Sequence, residues 1–331
     1  MKNKRIKLLI AVFLLMPLLS AAARAVSETE ELTIEAGSFK GPLGVTLTGM
    51  LYPGESGVAE GDGYSVVYDF YAAPDVLIPK IISGEVEIAA MPTNLAAKLY
   101  NSGVDYRLAA VNVWGVLYVI STDRNVRGWD DLKGTTVYSI GKGTTPDLLF
   151  RYLLEENGID PQNDLTIDYS YDQVGLSQLM TAGKVQTAVL PEPFVSKVLA
   201  GNDTSEIILD FQKEWGEVRG SDARYPQSGI VIRGDFADNN PGIVSDFLDR
   251  YNRSIQWINR NPKEAAPLVE NLNIGLTAGE AEAAIPRLNL LYEDSRAAKE
   301  EVEQFLTFLL EFAPKAVGGK LPDAGFYLSG P

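Results

Sequence analysis

The chain contains neither cysteine nor histidine in its 331 residues. Without cysteine there are no disulfides, no thiolate nucleophile, no sulfur ligands for a metal and no thiol to carry a lipid anchor. Without histidine, the side chain best matched to proton transfer near neutral pH is missing, together with the commonest metal ligand. Ser-His-Asp chemistry is thereby excluded. Basic residues are also scarce, 29 Lys and Arg against 44 Asp and Glu for a net charge of −15. A surface of that sign offers no footprint for nucleic acid or anionic lipid.

Long apolar runs are lacking too, with one exception near the N-terminus. Lys2, Lys4, Arg5 and Lys7 precede an apolar run over 8–19, and Ala23-Arg24-Ala25 follows in the small-x-small pattern of a cleavage site. This is the layout of a secretory signal peptide over 1–25. About twelve apolar residues fall short of the roughly 20 a spanning helix requires. Removing the segment leaves 24 basic residues against 44 acidic, a net charge of −20. The expected product is a free periplasmic protein, exported and not a lipoprotein. Its remaining 306 or so residues exceed what one core comfortably fills, so two lobes are expected.

What is present is a regular alternation. Strands are predicted at 32–36, 64–71, 86–91, 108–113 and 115–121, with helices at 42–51, 75–83 and 93–102. The pattern restarts with strands at 135–140, 165–171, 187–190 and 206–211, and helices at 146–157, 174–181 and 193–199. This alternation predicts an α/β fold of two mostly parallel sheets flanked by helices. After a strand at 229–233 the tail is mainly helical. Ile243, Phe247, Tyr251, Ile255 and Ile258 form one buried stripe, and Val302, Phe305, Leu306, Leu309 and Leu310 form another. If the tail packs back on the first lobe, that lobe comprises 26–121 and 229–331, and the second comprises 122–228. The chain then crosses twice, near 119–123 and 226–232, which makes a hinge above a cleft.

In open parallel sheets ligands bind beyond the carboxyl ends of the strands. There the first lobe offers Phe39, Lys40 and Pro42, then Thr93 and Asn94, then Asn112 and Trp114. Phe39 and Trp114 are large aromatics at predicted loop positions and would serve as stacking faces. In the second lobe the turn Gly141-Lys142-Gly143-Thr144-Thr145-Pro146 combines close backbone approach, a cation and a helix start, with Thr145 as the expected cap. That makes an anion-accepting corner, or else a well-capped helix with a solvated lysine. The P-loop and dinucleotide spacings are absent. Tyr171 and Glu192 complete the wall, Glu192 held between two prolines either to accept hydrogen bonds from an amine or to cap the next helix.

Three runs carry a family resemblance: GEVEIAAMPTNLAAKL over 84–99, WDDLKGTTVYSIGKGTTPDLLFRYLLEENGID over 129–160, and LMTAGKVQTAVLPEPFVSKVL over 179–199. With the signal peptide they resemble the substrate-binding proteins of ABC importers, in the group binding nitrate, sulfonates, taurine and thiamine-pyrimidine precursors. The resemblance implies a type II periplasmic-binding-protein fold, acting as a monomer with no cofactor and no metal. It implies a receptor that closes on a small polar or anionic solute and presents it to an ABC permease and its ATPase. By position, its ligand wall would include Phe39, Lys40, Pro42, Thr93, Asn94, Trp114, Lys142, Thr144, Thr145, Tyr171 and Glu192, with Gln227 beside the second crossing. An enzyme on the same fold and a periplasmic sensor are the alternatives. Related eukaryotic proteins make the thiamine pyrimidine with an active-site histidine, which this chain does not have.

Overall fold

The computed structural model describes residues 32–52, 54, 63–71, 74–220 and 223–328; the expected signal peptide lies outside them. Two sheets form, each flanked by helices. The first has the order β11-β4-β10-β3-β1-β2, with β1 (Leu32–Phe39), β2 (Tyr64–Tyr71), β3 (Ile88–Pro92), β4 (Tyr106–Trp114), β10 (Pro226–Arg233) and β11 (Leu290–Asp294). The second has the order β7-β6-β8-β5-β9, with β5 (Leu117–Ser121), β6 (Thr136–Tyr138), β7 (Thr166–Asp168), β8 (Thr187–Pro191) and β9 (Glu206–Asp210).

Strand direction brings two sheet edges together. β1, β2 and β3 are parallel, and β10 runs against both β3 and β4, so β4 runs with β1–β3. In the second sheet β5 is antiparallel to β8 and β9, while β6 is parallel to β7 and β8. The chain leaves the carboxyl end of β4 at Trp114 and enters β5 at Leu117. It therefore passes from the carboxyl edge of β1–β4 directly to the edge at which β6, β7 and β8 end. The carboxyl edges of the two parallel sets face each other.

The first crossing falls earlier than the predicted 119–123. β5, expected in the first lobe, pairs with β8 and β9 in the second sheet. The second crossing also moves, because all of β10 belongs to the first sheet and the passage back lies between α8 (Phe211–Arg219) and Pro226. Gly115 marks the first crossing. A Cβ there would lie 2.3 Å from ring atoms of Tyr225, which is fully buried. Gln212 Oε1 accepts both the Gly115 amide at 3.0 Å and the Tyr225 amide at 3.2 Å. Gly115→Ala is expected to cost about 1–3 kcal/mol by overpacking a site that cannot yield, measurable as a shift in urea midpoint with unchanged slope.

The predicted helix over 42–51 is two short ones, α1 (Pro42–Val45) and α2 (Thr48–Leu51). Thr46 between them turns its hydroxyl onto the Leu43 carbonyl at 2.6 Å, competing with backbone bonding as Thr does. The helices α3 (Pro74–Ser83) and α4 (Thr93–Asn101) follow β2 and β3; α5 (Thr145–Glu156), α6 (Gln173–Thr181) and α7 (Phe194–Gly201) follow β6, β7 and β8. The tail holds α9 (Gly234–Asn239), α10 (Pro241–Arg260), α11 (Pro262–Asn271), α12 (Ala278–Ala284) and α13 (Lys299–Phe312). β11 interrupts this otherwise helical tail.

Helix α10 buries Phe247, Tyr251, Ile255 and Ile258 against residues of β1, β3 and β10. Within that core, Tyr251 links Thr46 to Asn112, which also accepts from Ser228. Asn112, read from sequence as a strand-end ligand contact, is thus part of a buried polar chain. Helix α13 does more than cover the first lobe. Phe305 and Phe308 pack on Trp215 of α8, and Phe308 and Phe312 on Tyr152 of α5. One apolar cluster therefore contains first-sheet residues such as Val111 and second-lobe residues such as Val137 and Phe150.

Candidate functional site

The facing edges hold the strand ends that the sequence singles out. Phe39 ends β1 beside Tyr71 of β2, and its partly buried ring touches the apolar clusters on both faces of the sheet. Lys40 follows, exposed, with Nζ donating to the Asn273 carbonyl at 3.1 Å. Pro42 occupies the first turn of α1. Thr93 opens α4 and is 0% exposed, yet its Oγ1 has no hydrogen-bond partner among the described residues. Asn94 is turned away toward the chain's end, its Nδ2 donating to the Ala316 carbonyl at 3.4 Å.

Two further buried side-chain oxygens at these edges lack a partner among the described residues. One is Oε1 of Gln227, at the start of β10, where the ladder with β4 shifts register. The other is Oγ of Ser139, directly after β6. Buried polar atoms are almost always paired, so unpaired ones at facing strand ends are candidate ligand contacts. Ser139 went unread in the sequence, although a polar residue closing a strand just ahead of a glycine-rich turn is a usable signal.

The glycine-rich turn forms as expected, with Gly141 and Gly143 at φ of 62° and 76°. Its chemistry differs from the anion-accepting corner. Asp147, buried in the first turn of α5, accepts the Gly143 amide at 2.7 Å, Arg151 Nε at 2.7 Å and the Tyr169 hydroxyl. The chain's own carboxylate occupies the corner. Burial and the neighbouring Asp147 push the Tyr169 hydroxyl well above the ordinary tyrosine range. Thr144, not Thr145, is the N-cap residue, and its hydroxyl donates back to the Gly141 carbonyl at 2.5 Å. Thr145 becomes the first helical residue. Lys142 remains exposed, its Nζ 5.5 Å from the centroid of the Tyr169 ring. Tyr171 is 42% exposed and leans on Tyr138 at 5.9 Å.

Two expected wall residues prove to be internal. Trp114 is only 2% exposed, its indole N–H donates to the Leu291 carbonyl at 3.1 Å, and the Arg224 guanidinium covers its ring at 3.9 Å. It is a core residue and presents no stacking face. Glu192 is 1% exposed and already accepts from the amide and hydroxyl of Ser196 and from Arg287. The carboxylate offered to an amine is thus spoken for by an arginine that sequence reasoning did not consider. A separate groove of about 880 Å³, lined by Asp210, Lys213, Arg224 and Glu301 among others, contains none of the expected wall residues.

Both buried acids carry an arginine, Asp147 with Arg151 and Glu192 with Arg287. Lys40 and Lys142 remain as exposed cations on the two sides. Among the described residues no cluster of acids could hold a metal ion, and no helix is long and apolar enough to cross a membrane.

Comparison with known proteins gives one family and a set of similar folds. Residues 54–273 match the model of the NMT1-like family. An ABC transporter from Parabacteroides distasonis is similar at 30% identity and a TM-score of 0.76, covering 90% of this chain and 99% of that one. The periplasmic aliphatic sulphonate binding protein SsuA from Escherichia coli has 15% identity and a TM-score of 0.66, over 90% of this chain and 94% of SsuA. At that identity the likeness is one of fold. The YtlA protein of Bacillus subtilis (strain 168) is 23% identical over 158 residues, which are 47% of this chain and 45% of YtlA. The match thus spans less than half the length of that curated relative.

Proposed function

The chain belongs to the NMT1-like family, and from that membership and the facing strand ends we propose that it is the solute-binding receptor of an ABC-type importer. It captures a small polar or anionic organic solute between its lobes and delivers it to a membrane permease, working as a monomer in the periplasm after export through its signal peptide. One observation carries the reading: unpartnered buried oxygens of Thr93, Gln227 and Ser139 stand at the strand ends where two mostly parallel sheets meet edge to edge. Hydroxyl and amide groups placed this way can bind a polar solute from both lobes at once. The exposed Lys40 and Lys142, with Asp147 and Glu192 each neutralised by an arginine, favour an anionic group on that solute.

A solute that touches both lobes favours the closed form by its differential affinity. Native mass spectrometry of protein from its own cells is expected to show a bound small molecule in place of bare protein. Unfolding, stripping and refolding, then restoring that molecule, should lower the radius of gyration in small-angle scattering. A copurified molecule that the protein turns over would instead support an enzyme. An unchanged scattering profile at saturation would remove capture by closure.

A further inference from the structure

The segment where β8 passes into α7 meets α12 and the segment joining it to β11 through two charge pairs of opposite sense. Arg287 Nε donates to Glu192 Oε1 at 2.5 Å, and its Nη2 donates to Ser196 Oγ at 2.5 Å. Ser196 in turn gives its hydroxyl to Glu192 at 2.9 Å and its amide at 3.1 Å. At the next residue, Lys197 Nζ lies 3.2 Å from Glu280. The Arg287 carbonyl accepts from Tyr118 of β5 at 2.8 Å. Glu192, Ser196, Lys197 and Tyr118 belong to the second lobe; Glu280 and Arg287 come from the tail that builds the first sheet.

The two pairs are not equal in weight. Lys197 and Glu280 are half and quarter exposed, and such surface pairs contribute little. Glu192 is different, because its side chain is 0% exposed while that of Arg287 is 31% exposed. A carboxylate so fully removed from water is tolerated only with a counter-charge and hydrogen bonds around it. Its counter-charge sits on the other lobe. Any rotation that parts the lobes here must therefore hydrate Glu192 as Arg287 withdraws.

We propose that Arg287 is a positioning residue for closure, whose guanidinium reaches across from the first lobe to Glu192 and Ser196 and latches the closed form. The latch extends the receptor reading and rests on it for its purpose, but it is tested on the protein without solute. Removing Arg287 leaves a lone buried charge in the arrangement seen here, so this arrangement loses ground to more open ones and the closed-to-open ratio drops. Removing the charge as well relieves it.

The test uses the full chain, whose lack of native cysteine permits clean labelling. Glu155→Cys in α5 and Lys263→Cys in α11, both exposed, carry spin labels on the two lobes, and pulsed dipolar spectroscopy reads the distance distribution. In Arg287→Met the closed-to-open ratio is expected to fall about tenfold or more. Arg287→Lys, a point charge that cannot bridge Glu192 and Ser196 together, gives an intermediate distribution. Glu192→Gln with Arg287→Met returns toward the parent. Circular dichroism checks that each variant is folded; if Arg287→Met is not, the lysine and double variants decide. Parent-like distances in both single variants, or a double variant as open as Arg287→Met, would overturn the latch. Failure of the receptor reading would show separately, as protein that holds no solute although its distances respond.

Discussion

Phe308→Ala is expected to destabilise the protein by about 3–5 kcal/mol, the usual cost of emptying a buried aromatic site. Phe308 is 1% exposed, and its ring centroid lies 4.9 Å from that of Tyr152, 5.4 Å from Trp215 and 5.1 Å from Phe312. Its own helix belongs to the tail of the first lobe, whereas Tyr152 and Trp215 belong to the second. The substitution removes apolar area and tilted ring contacts together, and each such pair adds roughly 0.5–1.5 kcal/mol beyond area. The Tyr152 and Trp215 rings are large and buried, so on their side the gap will not close by a small shift. The measurement is equilibrium unfolding in guanidinium, followed by tryptophan emission and by far-ultraviolet circular dichroism. A loss below about 1 kcal/mol would mean that α13 merely lies on the second lobe without sharing its core.

Thr93→Val separates function from stability at one atom. The swap keeps the branched shape and replaces a fully buried hydroxyl that has no partner among the described residues. An unpaired buried hydroxyl costs about 1–3 kcal/mol on mutational scales, so the folded protein is expected to be unchanged or up to about 1 kcal/mol more stable. Solute affinity is expected to fall ten- to a hundredfold, about the value of one hydrogen bond whose partner is left unsatisfied. Titration calorimetry with the copurified solute and thermal unfolding without it read the two quantities. A destabilised protein with intact affinity would place the Thr93 hydroxyl in the core and remove it from the binding wall.

Much of the architecture was legible because hydrophobic period and turn chemistry are local. The strands before Lys40 and Thr93, the glycine-rich turn after β6 and the stripes of α10 and α13 all follow from spacing within a few residues. The lobe boundary was misplaced for a physical reason. Residues 108–121 hold short apolar stretches separated by Asn112 and Gly115, and only Gly115 marks where one sheet hands over to the other. Apolar character tells that a strand is buried and is silent about which neighbours bury it. β11 was missed because five residues within a helical tail give too little alternation to register.

At the candidate site, strand ends could be read and partners could not. The counter-charge of Glu192 lies 95 residues away in sequence, and Trp114 is covered by an arginine more than a hundred residues on. No short-range pattern encodes either meeting. Asp147 was readable: an acid three residues after Thr144 has the spacing at which a first-turn side chain folds back on the amides ahead of its helix.

The aromatic seam beneath α13 bears on how the molecule comes apart. Two lobes joined only by crossing strands would melt as separate calorimetric units, the weaker one first. Here one apolar cluster draws on both lobes, beside a cluster confined to each, so neither lobe can unfold without stripping part of the other's interior. Heat absorption should therefore appear as one cooperative peak, and a protease working between the lobes would find no half-folded fragment to release.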